Sequence, residues 1–224
     1  MVNNRFLTAI RLRAGILCIC VLPLSTYSET LFRLAAGLNQ PIISYQDNIG
    51  SSVSNNFFIR PEFYGAVETK IIGFLYGEIG LGHRNLGGKI NFVNSYGQNW
   101  REYYQYRYVY LATNLSLANF KFGFGEGVFI GYEFSYLTDA FSQGRRTNGF
   151  GEFPIKSIYD NVVKYNNGVD FGINIPLFQK LLLKLKYAYE FNNVTEIKST
   201  TYSFNSNVSC FSALISLPIR FYLL

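Results

Sequence analysis

The feature that most constrains this chain is a two-residue alternation of apolar and polar side chains, which recurs in eight segments after residue 30. Successive side chains on a β-strand point to opposite faces, so a period of two reads as a strand with one apolar and one polar side. In residues 31–39, Phe32, Leu34, Ala36 and Leu38 oppose Arg33, Ala35, Gly37 and Asn39. In 57–68, Phe57, Ile59, Phe63 and Val67 oppose Arg60, Glu62, Tyr64 and Glu68. In 71–82, Ile71, Leu75, Ile79 and Leu81 oppose Tyr76, Glu78, Gly80 and Gly82. Further segments lie near 104–117, 127–139, 162–177, 181–193 and 202–223. Among them, Leu183, Leu185, Tyr187 and Tyr189 oppose Lys184, Lys186, Ala188 and Glu190, while Phe211, Ala213, Ile215 and Leu217 oppose Cys210, Ser212 and Ser216.

Most of these segments reach the roughly 9–11 residues a tilted strand needs to cross a bilayer, longer than the roughly 5–6 usual in soluble sheets. No apolar run approaches the roughly 20 residues of a membrane helix. Hydrocarbon offers no water to an unpaired N–H or C=O, so a sheet can cross only by closing on itself. The expected fold is therefore all-β: a closed antiparallel up-and-down transmembrane barrel of about eight strands after an N-terminal signal peptide.

The connections add a second signal. Counted from a periplasmic N-terminus, the gaps at 40–56, 84–103, 140–161 and 194–201 are long or polar, whereas Thr69-Lys70 and Phe178-Gln179-Lys180 are tight. Long outer loops and short inner turns are the outer-membrane pattern. The stretch Ala118 to Gly127 reads either as a turn or as a continuation of its neighbours, which leaves the boundaries over 104–139 open. Tyr103 to Tyr110 and Tyr187 to Tyr189 suit aromatic girdles at the membrane interface.

Residues 1–28 carry Arg5, Arg11 and Arg13 with no acid, then the apolar stretch Ala14 to Leu24, then Thr26-Tyr27-Ser28. Those are the three parts expected of a cleaved secretory leader, leaving 29–224 as one barrel domain, and a retained N-terminal membrane anchor is the alternative. Of the 20 bases, 17 would remain against 14 acids, a net of +3. So mild and scattered a charge does not argue for nucleic acid. Cleavage would also remove Cys18 and Cys20 and leave Cys210 without a partner.

Chemistry-bearing residues are sparse: charged side chains make up 15% of the chain, and His83 is its one histidine. His83 falls at an expected outer strand end, where a barrel enzyme could use it, but a triad also needs a nucleophile and an orienting acid in reach. The plain alternative is a residue in a polar rim. Cys210 lies mid-strand with no local base and reads as an interior packing residue. The polar faces gather Arg33, Arg60, Glu62, Glu68, Glu78, Glu133, Asp170, Lys184, Lys186, Glu190 and Arg220. Charges of both signs there suit a lumen filled with ion pairs better than an open pore, because eight strands enclose only enough space for side chains. Gly80-Leu81-Gly82 and Gly123-Phe124-Gly125 sit in strand or hairpin contexts, not at a phosphate-binding strand–helix turn. No catalytic, cofactor or metal site is expected.

Phe32-Arg33-Leu34-Ala35-Ala36-Gly37-Leu38-Asn39, Phe58-Ile59-Arg60-Pro61-Glu62-Phe63, Gly125-Glu126-Gly127-Val128-Phe129-Ile130-Gly131 and Leu217-Pro218-Ile219-Arg220-Phe221 together resemble the PorT-like family of small outer-membrane β-barrel proteins of Gram-negative bacteria. The second run is similar to the family's hxPEhxY strand, and the likeness extends over most of 31–224. Leu111-Ala112-Thr113-Asn114 departs from the hEhP expected in the fourth strand. The resemblance implies a location and a fold more than an activity. The expected role is a non-enzymatic scaffold in contact with outer-membrane lipid, meeting an external protein or surface through 40–56, 84–103 and 140–161. A narrow solute channel, a barrel enzyme acting on lipid or peptide near His83, and a soluble lipocalin-like binder are the alternatives.

Overall fold

A computed structural model of the chain describes residues 30–47, 52–55, 58–93, 99–118, 127–146, 152–177, 181–198 and 203–219. The expected leader, 1–28, lies outside the described residues, as do 119–126 and the expected turn at 178–180. Eleven strands are described: β1 (Thr30–Asp47), β2 (Ser52–Asn55), β3 (Arg60–Ile72), β4 (Leu75–Val93), β5 (Asn99–Ala118), β6 (Gly127–Arg146), β7 (Glu152–Ser157), β8 (Tyr165–Pro176), β9 (Leu182–Glu190), β10 (Thr195–Lys198) and β11 (Ser203–Ile219). Eight form one antiparallel wall in the order β1-β3-β4-β5-β6-β8-β9-β11, and β11 pairs with β1 to close it. The closing ladder runs from Phe32 opposite Ile219 to Asp47 opposite Phe204, so neither end of the sheet is left as an edge.

The alternation assigns the faces as the sequence implies. Arg33, Glu62, Glu68, Glu78, Lys184 and Lys186 are buried inside, while Leu34, Phe63, Leu81, Ile130, Phe171 and Ile215 are exposed outside. Leu81 and Ile130 each expose more than 60% of their surface, and apolar neighbours continue this belt around all eight wall strands. A soluble binder would present polar side chains there. A closed wall with an apolar outside and a polar inside is the architecture of an outer-membrane barrel, and the chain spans that membrane.

Interior glycines make room for large neighbours. A Cβ on Gly80 would lie 2.4 Å from the Tyr64 ring, one on Gly82 2.1 Å from Tyr110, and one on Gly172 2.7 Å from Phe129. Each ring lies directly over a glycine of the adjoining wall.

Three expectations are corrected. The expected loops 40–56, 84–103 and 140–161 are largely strand. β1 runs on to Asp47, β4 and β5 stay paired up to Val93 opposite Asn99, and β6 reaches Arg146, with β2 and β7 added beside β4 and β6. Above the bilayer the outward face no longer meets lipid, and Ile43, Leu86 and Leu137 turn an apolar side inward, so the apolar-out alternation is lost while the backbone ladder continues. The turn between β3 and β4 lies at Gly73-Phe74, not at Thr69-Lys70. Gly73 takes a φ of 52°, a left-handed conformation that glycine adopts without a side-chain clash. Finally, Tyr106, Tyr108 and Tyr110 point into the lumen, because β5 places its even-numbered residues inside. The outer aromatics include Tyr103, Tyr132, Tyr136, Tyr165 and, as expected, Tyr189.

Candidate functional site

The lumen holds the densest chemistry of the barrel, and the strands deliver it at alternate positions. Near the inner end Arg33 of β1 makes two bonds to Glu68 of β3, Nε at 3.0 Å and Nη2 at 2.8 Å. Glu78 of β4 then gathers Lys184 Nζ at 2.6 Å, Asn114 Nδ2 at 2.7 Å and the Tyr64 hydroxyl at 2.8 Å. One step outward, Glu62 accepts from Ser212 at 2.6 Å and Tyr110 at 2.7 Å, with Lys186 Nζ at 2.9 Å. Lys186 also lies 3.4 Å from Glu133. Arg84 of β4 joins Glu133, at 2.5 Å, to Glu190 of β9, which also accepts from Asn166.

These contacts tie β1, β3, β4, β5, β6, β8, β9 and β11 through the centre of the barrel. Aromatic faces complete the cation sites: Lys184 lies 4.6 Å from the Phe129 centroid and 4.7 Å from that of Tyr64, and Lys186 lies 4.4 Å from that of Tyr110. A ring face attracts a cation and displaces water at the same time.

Apolar layers bound the network. Toward the outer end Ile43, Leu86, Tyr106, Tyr108, Leu137, Val162, Val194 and Val208 form one buried cluster. Val162 and Val194 reach it because the wall ladder continues past the strand ends, with Val163 N–H donating to Val194 O at 2.8 Å and Val194 N–H to Ser206 O at 2.7 Å. At the inner end Leu31, Tyr76, Phe129 and Leu182 are buried. Ion pairs between two apolar layers form a filled core.

Of the interior charges expected from sequence, nine are buried together: Arg33, Glu62, Glu68, Glu78, Glu133, Asp170, Lys184, Lys186 and Glu190. Arg60 sits apart and half-buried, its guanidinium 4.1 Å from the Phe58 ring centroid. Arg220 lies outside the described residues. The sequence reading missed Arg84, which is fully buried and central, because it placed that residue in a loop. Its signal was present: the inward series Tyr76, Glu78, Gly80, Gly82 continues to Arg84 in one further step.

His83 is not at a strand end in a polar rim. It lies within β4, opposite Phe63 and Val109, on the outward face. It borders a shallow depression lined otherwise by Leu34, Ala35, Ala36, Phe63, Tyr64, Gly65, Leu81, Gly82, Val109 and Ile215. Among the described residues that lining brings no serine, cysteine or carboxylate beside the imidazole. Cys210 is buried in the apolar cluster, its Sγ 3.7 Å from Ser212 Oγ, as an interior packing residue should be.

No protein-family profile and no curated protein sequence matches the chain. Similar solved structures are barrels of the same size. The outer membrane protein AlkL in lipid bilayers is 11% identical over 89% of this chain and 95% of its own, with a TM-score of 0.43. OprG from Pseudomonas aeruginosa is 6% identical over 87% and 98%, also at 0.43. Ail, the attachment invasion locus protein of Yersinia pestis, solved with the heparin analogue sucrose octasulfate, is 11% identical over 84% and 99%, at 0.32.

Proposed function

We propose that the chain is a non-enzymatic scaffold of the outer membrane, anchored by a non-conducting barrel and presenting its outer strand extensions to an external protein or surface. The observation that carries this reading is the filled lumen, whose cross-linked charges lie between two apolar layers. A selectivity ring needs charges of one sign around a water path. Here charges of both signs pair across the lumen, and the wall fills its interior with side-chain packing.

The outward projections β2, β7 and β10 and the long β4–β5 hairpin are the parts available to a partner, in place of the open loops expected over 40–56, 84–103 and 140–161. The strand motifs that resemble the PorT-like family support an outer-membrane location and a barrel fold, and residues 1–28 fit the leader that would export such a barrel. The alternative of a narrow channel is tested by planar-bilayer recording on purified protein. Little steady current is expected, and a reproducible single-channel current from the unaltered chain would overturn the scaffold reading.

A further inference from the structure

Six carboxylates are buried in the lumen, Glu62, Glu68, Glu78, Glu133, Asp170 and Glu190, against four buried cations, Arg33, Arg84, Lys184 and Lys186. Five of the six accept hydrogen bonds or ion pairs from named donors. Asp170 of β8 does not: among the described residues both of its oxygens are buried without a partner. The nearby bases are committed elsewhere, Lys184 to Glu78 at 2.6 Å and Lys186 to Glu62 at 2.9 Å and Glu133 at 3.4 Å.

What faces Asp170 is a second unpartnered acceptor. Asn114 gives its amide N–H to Glu78, which turns its Oδ1 away from that bond, and this oxygen too is buried without a partner. Asp170 and Asn114 meet over Gly131, which pairs with both across the wall. A Cβ on Gly131 would lie 1.8 Å from Asn114 Oδ1 and 2.2 Å from Asp170 Oδ1, so the two oxygens lie within 4.0 Å of each other. Two acceptors held face to face repel unless a hydrogen lies between them, and a buried carboxylate without a counter-charge takes up a proton instead of staying ionised.

We infer that the folded barrel binds a proton between Asp170 and Asn114, with Asp170 present as a carboxylic acid donating its O–H across Gly131 to Asn114 Oδ1. The proton comes from solvent during folding and leaves the surrounding ion pairs intact. The charges facing it are Lys184 and Lys186 from β9, Glu133 from β6 and Glu78 from β4, with the Tyr64 hydroxyl from β3. The acid therefore latches β5 to β8 over β6. Removing its proton would set two acceptors against each other and raise the acid excess of a sealed core, so the latch holds at acidic pH and opens as pH rises.

The test compares the full-length barrel in detergent micelles with Asp170→Asn, whose amide can donate to Asn114 in place of the acid. Infrared spectra at mildly acidic pH should show a protonated-carboxyl carbonyl band that is lost in Asp170→Asn. The unfolding midpoint of the unaltered barrel should fall from acidic to neutral pH, while that of Asp170→Asn should fall less. Absence of the band, or an equal fall in both proteins, would overturn the inference. So would failure of Asp170→Asn to fold, since the amide keeps the bond, or a midpoint that rises with added calcium and falls with chelator, which would make the occupant a metal ion.

Discussion

Replacing Arg84 with methionine should be among the most damaging single changes to this barrel. The guanidinium is fully buried and joins two carboxylates on strands separated by β8, Glu133 of β6 and Glu190 of β9. Methionine matches much of its length but supplies no donor. Glu133 would keep Lys186 at 3.4 Å, whereas Glu190 would keep, among the described residues, only the amide of Asn166 as a side-chain donor. Breaking a buried pair by removing one partner costs about 3–5 kcal/mol, because the remaining charge stays out of water without compensation. Most of that loss should therefore lie at Glu190, and adding Glu190→Gln to Arg84→Met should restore about 1–3 kcal/mol. Arg107→Gln is the control. Its ion pair with Asp139, at 3.4 Å, is partly exposed at the outer wall and should matter by no more than about 1 kcal/mol. Urea titration in micelles, reading the folded fraction by gel mobility without boiling, measures all four proteins on one scale. Arg84→Met within about 0.5 kcal/mol of Arg107→Gln, or no recovery on adding Glu190→Gln, would refute the reasoning, since additivity within that margin is what uncoupled sites show.

On the lipid face, Ile215→Arg should cost about 2–4 kcal/mol in a bilayer, because an outward charge at this depth meets hydrocarbon; unfolding titrations in vesicles that gave no loss would move that face out of the membrane. Gly82→Ala should destabilise by about 1–3 kcal/mol, since its methyl would fall 2.1 Å from the Tyr110 ring, and the same titration would show it. N-terminal sequencing of membrane-extracted protein should begin at or near Glu29 if residues 1–28 are a leader, whereas a chain beginning at Met1 would count for a retained anchor.

The wall and its two faces were legible wherever a strand crosses the bilayer, because lipid on one side and a filled lumen on the other enforce a strict period of two. Leu183 beside Lys184 and Ile215 beside Ser216 could be placed from that period alone. The same rule failed beyond the hydrocarbon, where Asn85 to Val93 stay in β4 and the apolar side passes from the outward to the inward face, as at Leu86. It failed at the β3–β4 turn because Ile71 and Leu75 keep the same two-residue phase across Gly73. It also misplaced the tyrosines of β5, whose density at 103–110 suggested a girdle although Tyr106, Tyr108 and Tyr110 face the lumen. Within the lumen, period gave the members but not the pairings. That Glu78 holds Lys184 while Asp170 is left facing Asn114 depends on register between strands far apart in sequence, which no local pattern encodes.

The closed barrel in a membrane is tested most directly by isolating the outer-membrane fraction, extracting it in detergent and comparing gel mobility before and after boiling. A wall sealed by the β1–β11 ladder and cross-linked through its core should resist detergent unheated, run compactly, and shift on boiling. Recovery of the protein in the soluble fraction, or one mobility under both treatments, would contradict it.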